Sequence, residues 1–249
     1  MEKIAVCQVS WRKYCFICIL SFVFSLALIQ SAAAFSDYEQ KTAANVYQQL
    51  QKEYQIRDFQ DSSAAEQILT KLTKNITNSE FENAEFKLHY VDDKIINAYY
   101  IGDGNIMIFA GLLQELNNNN QLAGIIAHEM GHAVNKHLSE DMKHNLGLSL
   151  LNILFNHFTE NQYQQMTNIT QNLIENGFSR DQEKEADLYA VDLMMRSGYN
   201  PDGLIELMQI FKRNSNNSKL LEFTQTHPIP ESRIKYLEDY IKDKQSKQE

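Results

Sequence analysis

Cysteine is confined to the first 18 positions of this 249-residue chain, at Cys7, Cys15 and Cys18. Whatever folds from the remainder has neither disulfides nor a cysteine nucleophile, and oxidising surroundings would not trouble it. Positive charge is scarce as well, with 23 Lys and Arg against 32 Asp and Glu. That balance argues against nucleic acid and against anionic lipid surfaces as partners. Proline occurs only three times, and two of the three, Pro201 and Pro230, stand where a helix would start. Long hydrophobic runs are also missing: the apolar stretch at residues 14–29 is short of the ~20 residues that cross a bilayer.

That stretch reads instead as part of a leader. Lys3, Arg12 and Lys13 precede it and Ser31-Ala32-Ala33-Ala34 follows it, the charged, apolar and A-x-A order of a secretory signal with cleavage expected after Ala34. A retained anchor is the alternative. Cys15 and Cys18 lie inside the apolar run without the small residues that a lipidation site needs. Removing residues 1–34 leaves 35–249, a length that fits one domain, with 20 basic against 31 acidic side chains and a net charge of −11. The expected location is a bacterial envelope, in the periplasm.

What the chain does have is chemistry at a fixed spacing. His128-Glu129-Met130-Gly131-His132 matches H-E-x-x-H. On a helix, residues four apart share a face, so His128 and His132 can grip one metal ion while Glu129, turned about 100° away, faces a water in the metal's open position. Such a carboxylate is the expected general base, and the reaction class is amide hydrolysis on a zinc-activated water. A catalytic zinc takes a third protein ligand, for which Glu183 is the candidate. It lies in a segment that reads as a helix capped by Ser179 with acidic residues in its first turn. Asp187, four residues on, shares its face and suits the acceptor of a ligand histidine's free ring N–H. The bland alternative for this acidic stretch is a solvated, well-capped helix start. His89, His137, His144 and His157 have no partner at ligand spacing and read as surface or satisfied core residues.

These motifs resemble those of the zinc metalloprotease family that includes HtpX, BepA, LoiP, YcaL and the CAAX prenyl endopeptidases. Ser179-Arg180 followed by Glu183, Glu185, Ala186 and Asp187 is similar to that family's third-ligand motif, which assigns the zinc to Glu183 rather than Glu185. Thr226-His227-Pro228 with Arg233-Ile234 resembles its C-terminal signature. Asn97-Ala98-Tyr99, Gly102 to Gly104 and Gly111-Leu112-Leu113 resemble its substrate-edge strand and the hairpin leading to the metal helix. The resemblance implies that His227 faces the metal, either steadying the oxyanion or occupying the water position in a latent state. A His-Pro pair that simply marks an extended loop is the local alternative. It also implies that Asn97, Ala98 and Tyr99 bind an extended substrate as an added strand. An ordinary hairpin would use the same β-branched residues, Ile95, Ile101, Ile106 and Ile108. Arg233 is expected to pair with a carboxylate.

Along the chain, residues 37–57 are amphipathic, residues 64–76 read as a second helix with Ser63 and Glu66 as its capping box, and Phe86, Leu88 and Tyr90 alternate as a strand. The metal helix is expected at about 121–137, with further helices at 201–213 and 230–242. Residues 139–176 read as a lid or plug over the cleft, with core packing as the alternative, because the apolar part, 146–158, is too short to cross a bilayer. The fold expected is α+β, a mainly helical zincin-type domain with a small β-sheet or hairpin beside the H-E-x-x-H helix. The function expected is a zinc endoprotease, one Zn2+ per chain, acting on unfolded or misassembled envelope proteins. A chaperone-like binding module for outer-membrane proteins, with a latent or structural zinc, is the alternative. Polypeptide substrates and outer-membrane assembly components are the candidate partners. Membrane contact would come only through residues 14–29, if uncleaved, or 146–158.

Overall fold

Fourteen consecutive residues of one helix, Gln121 to Val134, are buried, and this sets the architecture. A helix buried on every side lies in the middle of a domain. In the structure, a computed structural model that describes residues 35–141, 178–213, 227–229 and 231–247, it does. The elements run α1 (Asp37–Glu53), β1 (Ile56–Asp58), α2 (Ala64–Thr73), β2 (Lys87–Val91), β3 (Ala98–Gly102), β4 (Asn105–Phe109), α3 (Ala110–Glu115), α4 (Asn119–Val134), α5 (Arg180–Arg196), α6 (Asp202–Arg213) and α7 (Glu231–Ser246). The central helix is α4; it packs against α2, α5, α6 and β3. The mainly helical α+β expectation is met.

The four strands form one sheet in the order β1-β2-β4-β3. β2 and β4 are parallel, whereas β1 with β2 and β3 with β4 are antiparallel. Both faces are covered. Ala98 and Tyr100 of β3 join the large core with α2 and α4, while Tyr99 and Ile101 join a smaller cluster with Val46 of α1, so every residue of β3 is buried. The β3–β4 turn needs left-handed backbone at three successive residues, Gly102 (φ 103), Asp103 (φ 50) and Gly104 (φ 72). Glycine supplies that without steric cost, and a Cβ at Gly104 would also sit 2.0 Å from Glu85 O.

At the helix starts, the cap expected from Ser179 is present, whereas the box expected at Ser63 and Glu66 is half formed: Ser63 Oγ accepts from Glu66 N at 3.3 Å, but the Ser63 N–H goes to Gln60 O. Asn118 Oδ1 accepts from Gln121 N at 3.0 Å, and Ser179 and Gln182 exchange both bonds of a capping box at 3.3 and 2.8 Å. Three helices end earlier than periodicity alone indicates, α2 at Thr73 rather than near residue 76. α1 stops at Glu53 rather than near residue 57, because Ile56, Arg57 and Asp58 pair with Val91, Tyr90 and His89. The metal helix stops at Val134 rather than 137, because Lys136 adopts a left-handed conformation (φ 59) before another helical turn over 137–141. The signal expected at 1–34 and the apolar part of the lid expected at 139–176 lie outside the described residues. Among the described residues, no helix is long and apolar enough to cross a membrane.

Candidate metal centre and active site

Close approach of α4 and α5 assembles the site. Gly131 lies one residue before His132, and a Cβ there would stand 2.8 Å from Ala186 O. With glycine on one helix and Ala186 on the other, the backbones approach far enough for Glu183 to reach the histidines. His128 Nε2 and His132 Nε2 lie 3.1 Å apart. Glu183 Oε1 is 3.3 Å from His132 Nε2, and its Oε2 is 3.6 Å from His128 Nε2. His227 Nδ1 comes within 3.4 Å of His128 Nε2 and 3.1 Å of Glu183 Oε1. All four residues are buried, and their donor atoms lie within 4.8 Å of one another.

This donor set fits a metal ion. Two atoms bound about 2.0–2.1 Å from a tetrahedral ion stand about 3.4 Å from each other. The five separations above run from 3.1 to 3.6 Å. Three imidazoles and a carboxylate turned inwards on one small volume have no comparable arrangement as plain core residues, which point their polar atoms at separate partners. The cluster could therefore hold a metal through His128, His132, Glu183 and His227.

A layer of polar groups surrounds it. Asp187 Oδ1 lies 3.0 Å from His128 Nδ1. Asp187 also accepts from Arg233 Nε at 2.6 Å, Arg233 Nη2 at 2.7 Å and the Tyr236 hydroxyl. Arg233 Nη1 reaches Glu183 Oε2 at 2.6 Å and donates to Pro228 O at 3.0 Å. One guanidinium thus ties together Glu183 and Asp187 of α5 and the segment that carries His227. Burial works to raise the Asp187 carboxyl, but Arg233 and His128 outweigh it and bring it from 3.8 to about 2. Burial likewise opposes ionisation of Glu183, yet His227, Arg233 and His128 hold its carboxyl well below the usual range.

Acid stability follows from this. A depressed carboxyl stabilises the fold above its unfolded value, and that contribution is lost as pH falls through the folded one. Between about pH 4 and pH 2 the metal-free protein is expected to lose about 2 kcal/mol through Asp187. Urea unfolding midpoints measured across that range in wild type and Asp187→Asn check it, and the variant should show the flatter acid limb.

Glu129, next to His128 in the same helical turn, also faces the cluster. Its Oε2 accepts from Tyr100 N at 2.8 Å, and Oε1 lies 3.7 Å from His227 Nε2. Burial pushes its pKa up, against the pull of His227 and His128. Beside His128 and Glu129, a cavity of about 20 Å³ lined by Ile125, Leu204, Met208, Phe211 and Ile229 has room for roughly one water molecule.

Asn97, Ala98 and Tyr99 are buried, and the N–H of the next residue, Tyr100, donates to Glu129. Ala98 N donates to Asn97 Oδ1 at 2.9 Å, Asn97 Nδ2 donates to the Tyr99 hydroxyl, and the Tyr99 ring turns towards α1. Four features escaped sequence reasoning. The Tyr100 contact is through the main chain, which no side-chain pattern reveals. Arg233 serves two carboxylates rather than one. Phe178 stacks on the His132 ring with centroids 3.9 Å apart. His137, read as a surface or satisfied core residue, is a core one, and its partner there is the ring of His132.

The matches to known proteins run the same way. A profile of Peptidase family M48 matches residues 62–241. The chain is 26% identical over 219 residues to the mitochondrial metalloendopeptidase OMA1 of Schizosaccharomyces pombe, covering 86% of this chain and 64% of that protein. It is 26% identical over 172 residues to the beta-barrel assembly-enhancing protease of Yersinia pestis, covering 64% of this chain and 35% of that protein. With the metalloprotease LoiP of Escherichia coli it shares 24% identity over 186 residues, 72% of this chain and 71% of that one. The chain thus spans less than two thirds of the length of the first two. Because the profile runs without a break from α2 through α4 and α5 to α7, and so takes in every member of the His128–His227 cluster, the chain belongs to Peptidase family M48.

Proposed function

We propose that the protein is a zinc-dependent endoprotease that hydrolyses peptide bonds in unfolded or misassembled proteins of a bacterial envelope. One observation carries the reading: a buried carboxylate, Glu129, fixed by a main-chain N–H beside a four-donor cluster. A purely structural metal site has no use for a base at that position. His128, His132 and Glu183 would hold one Zn2+ per chain. Bound there, zinc would polarise the scissile carbonyl and lower the pKa of a water in its open position. Glu129 takes a proton from the attacking water as the new C–O bond forms, and returns it to the amide nitrogen as the C–N bond breaks. Asp187 keeps the His128 ring in register from behind. Asn97 leads into, and Ala98 and Tyr99 open, β3, the strand that would receive substrate, with the Tyr100 N–H as its link to Glu129.

His227 stands where a fourth donor would. Its place favours a resting state in which the water position is filled, so that His227 swings aside, or turns to steady the oxyanion, once a peptide arrives. The same observation keeps a second reading open, that of a chaperone-like protein with a blocked centre. Residues 1–34 act as a removable signal, and 139–176 as a lid. The envelope assignment is supported by that leader and by the beta-barrel assembly-enhancing relatives, against the mitochondrial name of others.

Purified protein incubated with unfolded casein and with a stably folded protein of similar size tests the reading. Chelator-sensitive cleavage of casein alone is expected. Casein that is bound yet left intact by wild type, but cut by His227→Ala, would favour the blocked centre. No cleavage by either protein would sink the protease reading.

A further inference from the structure

Behind His132 lies an arrangement that the hydrolytic reading leaves unused. His132 Nδ1, the ring atom on the far side from the cluster, is 3.0 Å from His137 Nδ1, and His137 Nε2 is 3.1 Å from Glu185 Oε2. Both histidines are fully buried, whereas the Glu185 side chain is 64% exposed. Helical spacing alone would not bring His137 here, five residues beyond His132. Lys136 does so through its left-handed conformation (φ 59), and its side chain is in turn held by Glu80.

The hydrogens in this chain of contacts can run only one way. An ionised carboxylate can only accept, so His137 Nε2 carries a hydrogen and donates to Glu185. A neutral imidazole has a single N–H, which leaves His137 Nδ1 as an acceptor. His132 must then donate from Nδ1, and its Nε2 lone pair is turned into the cluster, 3.3 Å from Glu183 Oε1. Phe178, stacked on the ring, fixes its plane but leaves rotation within that plane open. The bond to His137 closes that freedom.

We propose that Glu185 and His137 form a positioning relay for His132, in which the exposed carboxylate selects the tautomer of His137 and His137 in turn selects the tautomer and orientation of His132. The two ring donors are then backed in different ways. Asp187 serves His128 directly, 3.0 Å from its Nδ1, whereas Glu185 serves His132 through an intervening imidazole. The proposal rests on the reading of His132 as a metal ligand. It gives a role to the second carboxylate of the Glu183-Lys184-Glu185 stretch, which lies outside the donor cluster.

Zinc affinity of the full chain, measured by competition with a chromophoric chelator, tests the relay, with the Co2+ absorption band as a second readout and melting of the metal-free proteins as the control for folding. His137→Phe is expected to weaken zinc binding about 10–100-fold, the range for loss of such an outer partner. His137→Asn, which keeps an acceptor near the Nδ1 position, should recover most of that loss. Glu185→Ala, a change at an exposed side chain that leaves the fold intact, should weaken binding in the same direction but less, and Glu185→Gln should stay near wild type because its amide oxygen still accepts. In the His137→Phe background, Glu185→Ala should have no further effect, since a relay without its middle member transmits nothing. Wild-type affinity in both His137→Phe and Glu185→Ala would overturn the relay while leaving the metal centre standing. A wild type that binds no zinc, or a His132→Ala variant that binds as tightly as wild type, would overturn the ligand reading and the relay with it.

Discussion

Glu129→Gln is expected to lower kcat for peptide hydrolysis by about 10²–10⁴-fold, the usual contribution of a positioned general base. Glutamine keeps the length of the side chain, and its amide oxygen can still accept from Tyr100 N, so the geometry at β3 should survive. What it cannot do is take a proton from water. The lost interaction exists only in the transition state, so KM should change little and kcat/KM should fall with kcat. Bound metal should be unchanged, because Glu129 lies outside the four-donor cluster. Kinetics on a fluorogenic peptide, with metal content measured on the same samples, separate the two effects. A variant that loses its metal along with its activity would point to Glu129 as a ligand, and one that keeps wild-type kcat would remove it from the chemistry.

Arg233→Met carries the largest expected effect on stability. Arg233 is 4% exposed and faces two buried carboxylates, Asp187 and Glu183. Burial alone would lower the pKa of the guanidinium, but Asp187 and Glu183 more than reverse that. Removing one partner of such a group strands the others as uncompensated buried charge, which costs about 3–5 kcal/mol. For a domain of this size that corresponds to a fall in Tm of roughly 10 °C. Arg233→Lys should rescue little, since one ammonium cannot reproduce bonds to Asp187, Glu183 and Pro228 O that leave a planar fork in three directions. Calorimetry of the metal-free proteins reads this without interference from metal binding. A loss below about 1 kcal/mol would mean that the carboxylates find other donors or take up protons.

How much of this was legible in the sequence follows from the range over which each feature acts. His128 with His132, and Glu183 with Asp187, are read from i, i+4 spacing, because one helix sets both ends of the pair. The Ser179 cap is legible for the same reason, as its partner is three residues away. The parallel pairing of β2 with β4 was not, since the 13 residues between Val91 and Asn105 hold β3 and no pattern within β2 announces its neighbour. Ile56 and Arg57 suit helix or strand alike, and only pairing with Val91 and Tyr90 makes them β1 rather than the end of α1. The Tyr100 amide left no trace, being the same chemical group at almost every residue. His137 was missed because its position depends on one left-handed residue, and lysine gives no sign of that conformation.

Back-titration of zinc into chelator-stripped protein, with casein cleavage and bound metal followed in the same samples, tests whether hydrolysis depends on a metal held at this cluster. The stripped protein should cleave nothing, and activity should rise with zinc to a plateau at one ion per chain. His128→Ala and Glu183→Ala should fail to reach that plateau. Cleavage that persists in fully stripped protein, or a plateau that survives the loss of His128, would contradict that dependence.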